Sequence, residues 1–153
     1  MVIVETKIEI AAPIDVCFDL ARNIDIHTQT VWSHTREKAV DGVTSGLIGP
    51  GQTVTFEAVH FLIRQQLTSK ITEYKESYLF VDEMQKGAFK RLRHIHTFDY
   101  QNQKTIMSDR LEFEAPFGLL GKAVEQLILK RYMQRFLEHR NLKLKEIAER
   151  IPL

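Results

Sequence analysis

A chain of 153 residues, 44% hydrophobic and 27% charged, has the size and composition of one folded globular unit rather than a disordered or fibrous chain. Lys plus Arg (21) and Asp plus Glu (20) nearly cancel to a formal charge of +1, which argues against nucleic acid or an anionic membrane as a partner drawn by overall charge. The only cysteine, Cys17, excludes an intramolecular disulfide and a thiolate zinc site. The N-terminus, Met1 to Glu5, shows neither a basic start nor a sustained apolar stretch, and no apolar run approaches a membrane span of about 18 residues. The expectation is a single cytoplasmic domain over 1–153, without stable membrane insertion.

Residues 2–10 alternate in hydrophobicity and predict a first strand, with one end partly shifted. Pro13 reads as a first helical residue, and Ile14, Cys17, Phe18 and Ala21 follow at helical spacing. Asn23 ends that helix and caps a second, carrying Ile24, His27, Thr28, Val31 and Trp32. Strands are predicted at 35–40, 53–60, 63–74, 78–84, 89–99 and 105–114. The first two flank a glycine-rich connection, 41–51, read as a hairpin or cavity rim. Short links imply antiparallel hairpins, with turns at Lys86-Gly87 and Gln101-Asn102. From Gly118 to about Arg150 the pattern is helical. Its apolar phase shifts near residue 128: Leu120, Ala123, Val124, Leu127 and Ile128 share one face, whereas Leu129, Met133, Phe136, Leu137, Leu144, Ile147 and Ile151 share the opposite one. Either the helix kinks there or its start is a separate lid.

The order strand, two short helices, six strands, long helix is accompanied by recognisable segments: Ile8-Glu-Ile-Ala-Ala-Pro13 with Val16-Cys-Phe-Asp-Leu20, Ile71-Thr-Glu-Tyr74, His94-Ile-His-Thr-Phe98, and 111–121. On these residues the chain resembles the SRPBCC superfamily (START-like, birch-pollen-allergen-like, polyketide cyclase/dehydrase), in particular a bacterial ligand-binding branch. The resemblance implies an α+β helix-grip fold: a seven-stranded curved antiparallel sheet around a long C-terminal helix, two short helices after strand 1, and a cavity between sheet and helix. It implies no common catalytic constellation, and no cofactor is expected.

Alternation on the sixth strand sends Leu92, His94, His96, Phe98 and Tyr100 to one face, and on the seventh Met107, Asp109, Leu111 and Phe113. A hairpin centred on Asn102 sets His96 opposite Asp109, and a slip of two sets His94 there. Arg140, within the apolar stripe of the last helix, needs an anionic partner: Asp109 or a ligand. The candidate ligand-binding residues are therefore Trp32, His94, His96, Phe98, Asp109, Leu111, Met133, Phe136 and Arg140. Trp32 reads as either core packing or cavity entrance, and Cys17 as a small buried hydrophobe. His94, His96 and Asp109 also make a three-ligand arrangement, although no metal is expected.

Three functions follow. The first is binding of a small hydrophobic ligand such as a lipid, polyketide or quinone. The second is a cyclase- or dehydratase-like enzyme with His96 and Asp109 as catalytic candidates. The third is a protein-interaction or stress-response module, which needs an exposed apolar face at 119–128. Nothing in the sequence sets the oligomeric state.

Overall fold

The computed structural model describes residues 1–152. β1 (Val2–Ile10) is one unbroken strand whose even-numbered side chains face inward, and Val2, Val4 and Ile10 are buried. Thr6 interrupts the apolar row without shifting it, because its hydroxyl has a buried partner described below.

Pro13 stands just outside α1 (Ile14–Ala21) with extended dihedrals, φ −58° and ψ 150°, so the helix begins one residue later than the proline suggests. The Asn23 side chain accepts the Ile26 N–H at 3.1 Å and starts α2 (Ile24–Thr30). A 3₁₀ turn at Ser33–Thr35 and a left-handed Arg36 (φ 51°) then keep the chain out of strand geometry. Hence β2 spans Lys38–Gly42 rather than beginning at Thr35. Gly42 leaves that strand at φ 74°, where a Cβ would lie 2.2 Å from the Thr53 carbonyl oxygen.

The remaining strands are β3 (Thr53–His60), β4 (Ile63–Lys75), β5 (Leu79–Lys86), β6 (Arg91–Gln101) and β7 (Lys104–Glu114). All neighbours are antiparallel in one seven-stranded sheet of order β1-β7-β6-β5-β4-β3-β2. Asn102 and Gln103 are both left-handed (φ 51° and 63°), the backbone pattern of a tight two-residue hairpin. That turn sets His96 opposite Asp109, and the β5–β6 register sets Asp82 opposite His94. Tyr100 shares the parity of His96 but lies beyond the core and is half exposed.

The chain ends in α3 (Gly118–Val124), a π-helical turn at Glu125–Leu129, and α4 (Lys130–Arg150), which follow one another directly. Each extra residue in such a turn rotates the following side chains by about 100°. The apolar phase shift near residue 128 is thus a π turn joining α3 directly to α4, not a detached lid. α4 packs on β1, α1 and α2. Two buried clusters result, one around Phe18, Phe80, Phe98 and Leu144, the other around Val4, Leu92, Leu111 and Leu137.

Candidate functional site

Between the inner face of the sheet and α4 lies a cavity of about 330 Å³, lined by side chains of both clusters. This is at the lower end of the range for small-molecule sites. Its wall is mostly apolar, with Phe56, Ile71, Leu92 and Leu111 from the strands and Met133 and Phe136 from α4.

Of the residues singled out in the sequence, His94, His96, Leu111, Met133, Phe136 and Arg140 line this cavity, whereas Trp32, Phe98 and Asp109 stand outside its wall. Phe98 packs edge-on to Phe18 with ring centroids 5.3 Å apart. Trp32 packs edge-on to Tyr132 and Phe136, at 5.2 and 5.3 Å, so it supports the wall from behind. Asp109 lies behind the two histidines and its side chain is fully buried.

The polar end is built around that carboxylate. Nε2 of His94 donates to Asp109 Oδ1 at 2.9 Å, and Asn141 and Thr6 donate to Oδ2 at 2.7 and 3.2 Å. Nδ1 of His96 is also 2.9 Å from Oδ1 but is not aligned as a hydrogen bond. On the opposite side, Nε2 of His96 donates to Asp82 Oδ2 at 2.8 Å, and Nδ1 of His94 lies 4.0 Å from the same oxygen. Each imidazole is therefore held between buried Asp109 and cavity-lining Asp82. Strand alternation explains the grouping: His94 and His96 are two apart on β6, with Asp82 and Asp109 facing them from β5 and β7.

Burial alone would raise the Asp109 carboxyl, but the His94 hydrogen bond and the close His96 imidazole outweigh it and hold the group well below the usual carboxylate range. Asp82 is likewise lowered, its burial overcome by the His96 hydrogen bond and the nearby histidines. Burial acts to lower His96, yet the close Asp109 carboxylate and the hydrogen-bonded Asp82 raise it. For His94, burial and then repulsion by His96 prevail, and its pKa is lowered. Of the two imidazoles, His96 is therefore the more readily protonated and His94 the less.

Arg140 completes this end. It is 3% exposed and donates from Nη2 to the Ala21 carbonyl at 3.3 Å, but Nε and Nη1 have no hydrogen-bond partner. A buried guanidinium with unused donors on a cavity wall keeps hydrogen-bonding capacity toward the cavity.

Sequence reasoning missed Asp82 and a second polar set on the same wall: His27 with Glu37 at 2.8 Å, and His60 with the Tyr132 hydroxyl at 2.7 Å. Asp82 could have been found, since it alternates with Phe80 and Met84 on one strand face. Glu37 carries no such signal, because it follows the left-handed Arg36 in an irregular segment.

Outside the cavity, Leu119, Leu120, Leu127 and Ile128 are 83%, 71%, 77% and 50% exposed, so the face required by the interaction reading is uncovered. No helix among the described residues is long and apolar enough to cross a membrane.

This architecture, a seven-stranded antiparallel sheet with short helices after β1 and a long C-terminal helix, is the START-like helix-grip fold that the sequence resembles. A Thermus thermophilus protein, TTHA0849, superposes with a TM-score of 0.74 at 18% identity, over 96% of this chain and 97% of that one. A START superfamily protein from Mycobacterium smegmatis gives 0.73 at 14% identity, over 98% and 99%. Ginseng major latex-like protein 151 from Panax ginseng gives 0.70 at 11% identity, over 96% and 97%. At these identities the likeness is one of fold. No family model and no curated protein sequence matches the chain.

Proposed function

We propose that the chain binds a small, mainly apolar molecule bearing an oxygen-rich end, with its body between the sheet and α4 and its oxygen at Arg140. The observation that carries this reading is the pair of unused donors on a guanidinium buried in an otherwise mostly apolar cavity wall. The START-like fold supports it, since a curved sheet gripped by one helix encloses such a space. Within the classes lipid, polyketide and quinone, the ligand is one that offers Arg140 a carboxylate, enolate or carbonyl oxygen.

Native mass spectrometry of gently purified protein, followed by titration with an apolar fluorescent probe and its displacement by a long-chain carboxylic acid, tests the reading. One co-purifying or saturably bound molecule per chain is expected. Absence of any saturable uptake overturns it.

One observation favours a second reading, a cyclase- or dehydratase-like enzyme: His94 and His96 face the cavity while each hydrogen-bonds a carboxylate that positions it. In that case His96→Ala removes turnover of a bound polyketide-like substrate while leaving its affinity within about tenfold. Unchanged turnover removes His96 from the chemistry.

A further inference from the structure

The two histidines use opposite nitrogens for opposite purposes. Nε2 of His94 and Nδ1 of His96 turn toward buried Asp109, while Nδ1 of His94 and Nε2 of His96 turn toward Asp82 at the cavity wall. Metal-binding histidines are held this way, one ring nitrogen fixed by a carboxylate behind and the other presented forward. Asp109 thus occupies the supporting position, and Asp82 supplies the forward oxygen.

We propose that Asp82, His94 and His96 form a binding site for one divalent first-row transition-metal ion, with its remaining coordination positions open to the cavity. Among the described residues this is the one group of three or more potential ligands whose donor atoms lie together, all within 4.8 Å of one another. Bonds of about 2.0–2.2 Å at tetrahedral angles put ligand atoms about 3.3 Å apart. The present separations from Asp82 Oδ2, 2.8 Å to His96 and 4.0 Å to His94, bracket that value, so small side-chain rotations suffice. The ion takes the place of the proton shared by His96 and Asp82. Two imidazoles and one carboxylate suit zinc, iron(II) or cobalt(II) and leave positions for water or a ligand oxygen.

Charge also selects what fills those positions. Asp82 and Asp109 balance the ion, and Arg140, whose Nη1 is 3.7 Å from Asp109, adds a positive charge beside it. An anionic oxygen held between the metal and Arg140 satisfies both. The proposal goes beyond ligand binding and stands separately from it: metal uptake needs no apolar ligand, and apolar uptake can be measured in a chelator.

Protein without a histidine tag, stripped with chelator, is dialysed against Zn²⁺ and against Co²⁺. One tightly held equivalent per chain is expected. Asp82→Asn and His94→Ala should each abolish it, and Asp109→Asn should weaken it by about 10–100-fold, as loss of a supporting carboxylate does. His34→Gln, on the exposed 3₁₀ turn, should leave it unchanged. Because the variants can lose their fold, the native chain provides a second readout: Co²⁺ should first broaden the ring-proton resonances of two of its six histidines, His94 and His96. Absence of saturable metal, retention of the equivalent in folded Asp82→Asn, or first broadening at His34 or His139 overturns the site.

Discussion

Arg140 stops short of Asp109: its Nη1 lies 3.7 Å from the nearest carboxylate oxygen, although both side chains are almost completely buried. The carboxylate is already occupied by donors from β1, β6 and α4, so the guanidinium keeps hydrogen-bonding capacity for something else. Replacing Arg140 by Met keeps most of the stem and removes the charge. A long-chain carboxylic acid should then bind about tenfold more weakly (~1.4 kcal/mol), while the matching hydrocarbon binds unchanged. Calorimetric titration of both ligands checks this; an equal loss for both would assign Arg140 to packing alone.

Asp109 is a different case, because its carboxylate is the shared acceptor for donors from three elements. Its removal strands the His94 N–H in a buried layer, leaves the Asn141 amide only its bond to the Thr6 hydroxyl, and leaves Arg140 without its nearest countercharge. Asp109→Ala should therefore cost about 3–5 kcal/mol of folding stability, the range for breaking a buried charged pair. Asp109→Asn, which keeps one accepting oxygen, should cost less. Urea unfolding with unchanged m-value measures both.

The unequal visibility of these groups in the sequence has a physical origin. β6 and β7 alternate cleanly and meet across a two-residue turn, so period 2 and one turn position suffice to put His94, His96 and Asp109 on facing rows. Asp82 belongs to β5, where alternation with Phe80 and Met84 gives its face, but the link 87–90 to β6 is longer than a two-residue turn and does not by itself say which histidine Asp82 meets. The helical phase shift is visible in the sequence, but kink, lid and π turn produce the same pattern of apolar residues. Trp32 looks alike as core and as entrance because helical spacing runs on through it in the sequence, whereas α2 ends at Thr30 and Trp32 stands in the link to the 3₁₀ turn. Glu37, in a segment of no regular period, has no pattern to reveal it.

Glu125 ties the π turn to the end of the sheet. It is 1% exposed, its carboxylate accepts the Ala115 N–H, and the amino terminus lies 4.0 Å away. Glu125→Ala leaves that N–H without a partner and should destabilise the chain by about 1–3 kcal/mol. Glu125→Gln, which can still accept, should recover most of the loss. Hydrogen exchange should accelerate at 115–128 in the alanine variant before it does so in α4, because the cavity-facing part of α4 is held by its own contacts. Uniform acceleration along the whole helix would place the tie elsewhere.

His60 makes the second polar set a source of acid sensitivity. Burial lowers its pKa from the ordinary value of 6.5, with His34 adding repulsion, and the attraction of Glu37 only partly offsets this. The unfolded chain therefore takes up a proton at a higher pH than the folded chain does. Stability from this group is intact above 6.5 and falls as the pH drops from there toward the lower folded value. Glu37 acts in the same direction at lower pH: burial opposes its charge, but His27 outweighs burial and lowers it from 4.5, so its contribution is lost only as the pH falls through the depressed value. His60→Gln keeps a polar partner for the Tyr132 hydroxyl and removes the titration. Urea-derived stability between about pH 7 and pH 5 should decline more steeply in the native chain than in His60→Gln, and parallel curves would show that His60 titrates as it does in the unfolded chain.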